Sequence, residues 1–543
     1  MKQTSLIFIF LLSVTPVISQ NTLHKFWIPF TDKNGTPNTV GNPSEYLSER
    51  ALERRLRYSI PITESDLPVN NAYIDSLKNI GFNVLYTSRW FNSAVISTLD
   101  SGQISATSQL PFVRSAIHLS RDSVAGGGKH KVLIDKFAAE SLDYGLAATQ
   151  IMIHQGDKLH SWGYLGKDII IAILDAGFYN VDSLRAFDSL RMNNQILGTR
   201  DFVKPGNDVF REHTHGMSVL SIMGGNIPGE LVGTAPAASF LLLRSEDPSS
   251  EQKIEEANWI AAAEFADSAG ADIINSSLGY SKFDDSLQNY AYEDMDGNST
   301  LVTRGADMAA SKGLLVVVSA GNSGNTPWLY ITAPADGDSV MAVGAVDQAG
   351  IYAPFSSQGP TYDGRIKPNL VAVGYGTFVQ RVDGTVGPGA GTSFSAPVIS
   401  GLAACLWQKF RDLPNYEIIK VMEQSSSLFP YPNHLIGYGI PNMTVANDII
   451  TGDPISKEKR ELTIFPNPAV SAISVSLSAN EGNYIQYDIF DLEGRKMSIS
   501  GSVTGTNITE FTIRSIDKIT PGIYILKVTT QSHICSIKFF KDE

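Results

Sequence analysis

"DIIIAILDAGF", Asp168 to Phe178, is the stretch from which the fold can be read. Ile169 to Leu174 are apolar without a break, so this strand has no wet face. That pattern suits a parallel sheet covered by helices on both sides. The same grammar returns in "SFLLLRS" from Ser239, "ADIINSSLG" from Ala271, "GLLVVVSAGN" from Gly313 and "SVMAVGAVD" from Ser339, with helical stretches between them. The expected fold class is α/β, a mostly parallel sheet flanked by helices over residues 132–450. Sheets of this kind place their sites at the carboxyl ends of the strands. Asp175 stands at such an end, and Gly177 lets the chain turn sharply. A carboxylate there either caps a turn or holds an imidazole in one tautomer. The run alone does not choose.

The chain has 543 residues, which implies several domains. It is 43% hydrophobic and carries a formal net charge of −13. The first figure is ample for packed cores; the second argues against nucleic acid or an anionic membrane as the main partner. Residues 1–19 read as a secretory signal peptide, with Lys2 ahead of a short apolar run and small residues near Ser19. No other run has the length of a spanning helix, so no transmembrane segment is expected in the mature protein. Cys405 and Cys535 fall in different domains and read as two separate buried thiols.

Acyl transfer needs a nucleophile, a base, an orienter for the base and an oxyanion donor. Asp175 is one candidate. "REHTHGMSVLSIMGG" offers His213 and His215 at the start of an apolar helix, of which at most one faces a site. The HTH spacing is wrong for a metal pair on a helix. "LLVVVSAGNSGN" places Asn322 after a buried strand, where its amide either occupies a left-handed turn or donates to an oxyanion, worth about 3–4 kcal/mol. "GTSFSAPVISGLAACL", Gly391 to Leu406, opens an apolar helix with Thr392 and Ser393 at its N-terminus and Pro397 expected in its first turn. A hydroxyl there is either an N-cap or a nucleophile in the field of the helix dipole.

Together these segments resemble the subtilase family of serine peptidases. "DAGF", "HGMSV", "SAGNSG" and "GTSFSAP" are similar to its four motifs, in the family's order. The resemblance implies Asp175 as orienter, His215 rather than His213 as base, Ser393 rather than Ser395 as nucleophile and Asn322 as oxyanion donor. It also implies that Ser277, Leu278 and Gly279 form one wall of the primary pocket, and Ser319, Ala320 and Gly321 the other. Walls of backbone, Ala and Gly suit a medium or large apolar side chain before the scissile bond. Ala176, Met217, Ser218, Phe394 and Ser395 depart from the family's pattern without removing a group from the mechanism.

Residues 20–125 resemble a subtilase propeptide by position and strand pattern, which implies an inhibitor of the enzyme's own site. "AGGGKHK", Ala125 to Lys131, reads as an exposed linker, and residues 451–461 as a second. Residues 462–543 carry about seven short alternating strands, a small β-sandwich. "PNP", "DLEGR" and "PGIYILKV" resemble the type A sorting domain of type IX secretion, which implies export through that machinery to the medium or the cell surface. The expected function is a secreted serine endopeptidase acting on protein or peptide substrates, with no cofactor required for its chemistry. The alternative is a catalytically silent surface-binding protein on the same scaffold. The metal set is unknown: "EDMDGNST", Glu293 to Thr300, resembles half a calcium loop but lacks the closing Glu, and the resemblance allows calcium only as a structural ion.

Overall fold

The structure is a computed structural model that describes residues 22–123, 142–452, 462–477, 484–491, 495–505, 508–529 and 534–542. The expected signal peptide, the linker around Ala125–Lys131 and all but the first two residues of the linker at 451–461 lie outside them. The chain divides into two compact units, Met1–Ala446 and Asn447–Glu543.

The larger unit is built on an eight-stranded sheet. Its strand order is Val386–Ala390, Leu370–Gln380, Met341–Asp347, Leu315–Ser319, Ile273–Ser276, Ile170–Asp175, Ser239–Arg244 and Ile196–Asp201. Every pairing is parallel except the terminal Leu370–Gln380 and Val386–Ala390 pair. Ile170, Ala172 and Leu174 pack into a cluster with the helices Ile254–Ala269 and Leu301–Ser311. Their neighbours Ile171 and Ile173 are equally buried but lie outside that cluster. They belong to the opposite face, where the helices His215–Gly224 and Thr392–Lys409 pack on the sheet and on each other. The unbroken apolar run is thus explained by two covered faces.

The N-terminal domain is a four-stranded antiparallel sheet, ordered Asn83–Ser88, Ser93–Thr98, Thr22–Pro29 and Ile117–Ser123. Strand alternation assigns its two faces different work. Phe26, Ile28, Ala94 and Ile96 pack with Ile74 and Leu77 of its own helix Asn71–Ile80. Trp27, Val95 and Leu119 join the peptidase cluster around the helix Ile254–Ala269. Ions complete that junction. The Glu264 carboxylate accepts the Ser88 hydroxyl and the backbone N–H groups of Arg89, 2.9 Å, and Trp90, 3.2 Å. Asp267 is fully buried and is met by Arg54, by Arg55 at 2.9 Å and by Arg89 at 2.8 Å.

The C-terminal unit shows seven strands among its described residues. Thr463–Phe465, Ala472–Ser476 and Glu510–Arg514 form one antiparallel sheet; Lys496–Thr504, Tyr484–Phe490, Gly522–Thr529 and Ile534–Lys541 form the other. Alternate residues such as Ile473, Val475, Ile485, Ile489, Leu526 and Val528 fill one core, as a two-sheet packing requires.

Candidate active site

The strand Ile170–Asp175 ends on Asp175, whose side chain is wholly buried. Its Oδ1 accepts the Ala176 N–H, 2.7 Å. The same carboxylate receives His215 Nδ1 at 2.8 Å on Oδ1 and 3.0 Å on Oδ2. Two glycines permit this approach. Gly177 adopts φ 150, and a Cβ there would lie 2.3 Å from His213 N. A Cβ at Gly216 would lie 2.5 Å from the Gly177 carbonyl, so the helix start seats directly on the strand end. His213 makes no such contact with Asp175; its ring nitrogen accepts the His215 N–H, 3.3 Å.

Donation from Nδ1 leaves the lone pair of neutral His215 on Nε2. Burial disfavours the imidazolium, but the Asp175 charge and its hydrogen bond outweigh that and lift the His215 pKa above the ordinary histidine value. The His215 side chain keeps 27% exposure, so its outer edge stays open to a substrate. The Phe394 ring lies against the imidazole, 5.9 Å between centroids and tilted by 27°. That contact brings the neighbouring Ser393 to the same end of the sheet.

The helix Thr392–Lys409 is capped by Gly391, with no side-chain cap bond, so the N-cap alternative for its first hydroxyls is not met. Pro397 is the sixth helical residue and lies past the first turn, where it was expected. Its position has a consequence. Proline has no N–H, so the Ser393 carbonyl four residues earlier loses its helical partner. The Ser277 hydroxyl takes that place, donating to Ser393 O at 2.9 Å. The Ser393 hydroxyl donates back to Ser277 O at 3.2 Å. This reciprocal pair ties the helix start to the segment Ser277–Gly279. Among the described residues no hydrogen bond joins Ser393 to His215.

Thr392, read from sequence as an ordinary helix-start hydroxyl, holds Asn322. The Thr392 N–H and Oγ1 both donate to Asn322 Oδ1, at 2.9 and 3.1 Å. Only the carbonyl oxygen of an amide can accept them, which fixes the side-chain orientation and leaves the Nδ2 donors for a ligand. A Cβ built on Gly391 would lie 3.7 Å from Asn322 Nδ2 and 3.8 Å from Ser393 N. The two donors therefore flank one small space beside a residue with no side chain. Segments Ser277–Gly279 and Ser319–Gly321 run close together, the Ser319 hydroxyl reaching Leu278 O at 3.4 Å.

The sequence reading passed over Arg244. It ends the strand next to Ile170–Asp175, in register with Asp175, and is 1% exposed. Its Nε donates to the Ala176 carbonyl at 3.0 Å and its Nη1 pairs with Asp201 at 2.9 Å. A lone cation closing the apolar run "SFLLLR" was the available signal.

Acidic groups gather away from "EDMDGNST". In that loop Asp296 Oδ1 accepts the Asn298 and Ser299 N–H groups, and Oδ2 the Ser299 hydroxyl. Glu246, Glu251 and Glu255 instead bring carboxylate oxygens within 4.8 Å of one another. Burial, then the neighbouring Glu251, pushes Glu255 up to about 9; burial, then Asp284, pushes Glu251 up to about 7. Cys405 is buried with its thiol on Thr234 O at 3.2 Å, and burial raises its pKa. The Cys535 side chain lies outside the described residues.

Residues 166–439, just over half of the 543, match the model of the subtilase family. The chain belongs to the subtilase family. Residues 25–132 match the peptidase S8 propeptide domain of Bacteroidota, and residues 463–542 the secretion system C-terminal sorting domain. This subtilase is similar to subtilisin E of Bacillus subtilis (strain 168), 26% identical over 371 residues, 67% of this chain and 82% of that protein. It is 27% identical to a subtilisin of Bacillus pumilus over 314 residues, 57% of this chain and 99% of that protein. Among solved structures, MycP1 from Mycobacterium smegmatis aligns at 22% identity and a TM-score of 0.43, over 57% of this chain and 85% of that one. The chain is thus a subtilisin-like serine endopeptidase with a propeptide domain and a type IX sorting domain that directs it to the cell surface or beyond. No helix among the described residues is long and apolar enough to cross a membrane.

Proposed function

We propose that this subtilase cleaves peptide bonds through an acyl-enzyme on Ser393. The observation that carries the reading is the two-oxygen hold of Asp175 on His215 Nδ1. It leaves Nε2 as the base for the Ser393 hydroxyl, which turns from Ser277 O when a substrate carbonyl arrives. Apo sites of this kind are often loosely bonded before substrate binds. Ser393 Oγ then attacks the carbonyl carbon, and its proton passes to His215 Nε2. Asp175 stabilises the imidazolium, and the Asn322 Nδ2 and Ser393 N–H groups bind the oxyanion. His215 returns the proton to the leaving amine, the acyl-enzyme forms, and water repeats the steps in reverse order. No cofactor takes part.

Substrates are protein or peptide segments laid along the backbone of Ser277–Gly279, with the side chain before the scissile bond between that wall and Ser319–Gly321. The propeptide domain acts as the enzyme's own inhibitor until it is removed, a reading supported by its docking on the peptidase through Glu264 and Asp267. The sorting domain serves the export machinery. The test is Ser393→Ala. Peptidase activity should fall by about 10⁶, and labelling by a fluorophosphonate should vanish. Retained activity would refute the nucleophile.

A further inference from the structure

Between the two proposed pocket walls lies a residue that no motif marks. Thr332 is 5% exposed, and its hydroxyl has no hydrogen-bond partner among the described residues. Its backbone is pinned on both sides: its N–H donates to Ala320 O at 3.2 Å, and its carbonyl accepts the Ala335 N–H at 2.9 Å. The next residue, Ala333, pairs with Tyr280 through two backbone bonds of 2.8 and 3.1 Å. Residues 332–333 therefore knit one wall to the other. The Thr332 side chain points into the gap. A Cβ built on Gly279 would lie 2.2 Å from Thr332 Oγ1, and one built on Gly321 would lie 3.0 Å from it. The hydroxyl thus touches both walls where each has lost its side chain.

We propose that Thr332 is the floor of the primary pocket and restricts the residue before the scissile bond to small side chains, serine above all. The inference rests on the assignment of Ser277–Gly279 and Ser319–Gly321 as pocket walls. Two physical reasons support it. A γ-branched or aromatic side chain entering between the walls meets the Thr332 side chain, whose backbone is bonded at both ends and cannot withdraw. A buried hydroxyl without a partner is costly, and a substrate hydroxyl reaching the floor would satisfy it. The expected medium or large apolar residue gives way to a small polar one.

The test uses the mature enzyme and quenched peptides that differ only in the residue before the scissile bond. Serine and alanine should exceed phenylalanine in kcat/KM by at least about tenfold, the discrimination a filled pocket gives. Thr332→Gly should raise the phenylalanine-to-alanine ratio by about tenfold or more. Thr332→Val keeps the bulk, so it should still reject phenylalanine while losing the preference of serine over alanine. A wild-type preference for leucine or phenylalanine overturns the proposal. So does an unchanged ratio in a Thr332→Gly enzyme that a fluorophosphonate still labels. Should that variant not fold, the wild-type series and Thr332→Val decide the question. A wild-type protein that neither cleaves any peptide nor takes the label instead overturns the triad, and this inference with it.

Discussion

Asp175 and Asp267 are both fully buried carboxylates of the peptidase domain, and their partners differ in kind. Asp175 faces a single imidazole, which can shed its proton. Asp267 faces Arg54, Arg55 and Arg89, three guanidiniums that stay charged at any working pH. Chemistry needs a partner that titrates; docking needs one that does not. The surroundings follow the same division. His215 keeps an exposed edge, whereas Arg54 and Arg55 keep about none. On the proposed mechanism the first carboxylate tunes a proton, while the second ties the propeptide domain to the peptidase.

The contrast can be broken at either end. Asp175→Asn should lower kcat by about 10⁴, since the imidazole loses its tautomer and its counter-charge. With His215 as the proposed base, activity requires its neutral form, so kcat/KM should rise with pH through its pKa. Without the Asp175 charge that pKa falls, and the acidic limb of the profile should move to lower pH. A pH–rate series checks both, and an unmoved limb would separate Asp175 from the base.

Asp267→Asn should instead leave the buried Arg54 and Arg55 and the partly buried Arg89 short of a counter-charge. We expect a loss of about 3–5 kcal/mol in urea unfolding of the full chain carrying Ser393→Ala, little changed by added salt because the pairs are buried. A loss below about 1 kcal/mol would place this cluster with ordinary surface ion pairs.

Asn322→Ala should cost about 10² to 10³ in kcat with KM nearly constant, the mark of a contact made in the transition state. A change confined to KM would make Asn322 a ground-state binder.

The smallest effect belongs to a third arrangement, carboxylates facing each other. Glu255 holds its proton up to about 9, well above the value of about 4.3 for an unfolded glutamate. The folded state thus binds this proton more tightly than the unfolded chain, and the stability it lends is lost as pH climbs through that window. Glu255→Gln should raise the Tm by roughly 2–4 °C at pH 8 and hardly at pH 5, as thermal melts at both pH values would show. Equal shifts at both would remove titration as the cause.

Much of the site was legible because its residues close apolar runs or open helices. Asp175 ends a buried strand, Asn322 follows another, and His215 and Ser393 stand at helix starts, which marked where to look; the resemblance to the four subtilase motifs then singled out these residues. Less legible was the helix start, where glycine takes the cap and Thr392 holds Asn322. Pro397 read as tolerated in the first turn; only its distance from Ser393 in the helix shows that it frees a carbonyl for Ser277.

The sequence by itself determined the parallel sheet and the alternating strands of the sorting domain, because each is written in local periodicity, and it carried the four motifs in an order that resembles the subtilase family's. Tertiary structure alone decided which threonine orients Asn322, which side chain fills the gap between Gly279 and Gly321, and which arginines reach Asp267. Arg54 and Asp267 are 213 residues apart. No local pattern encodes a contact across that separation; it exists only when the propeptide sheet packs one face on the helix Ile254–Ala269 and carries its charges there.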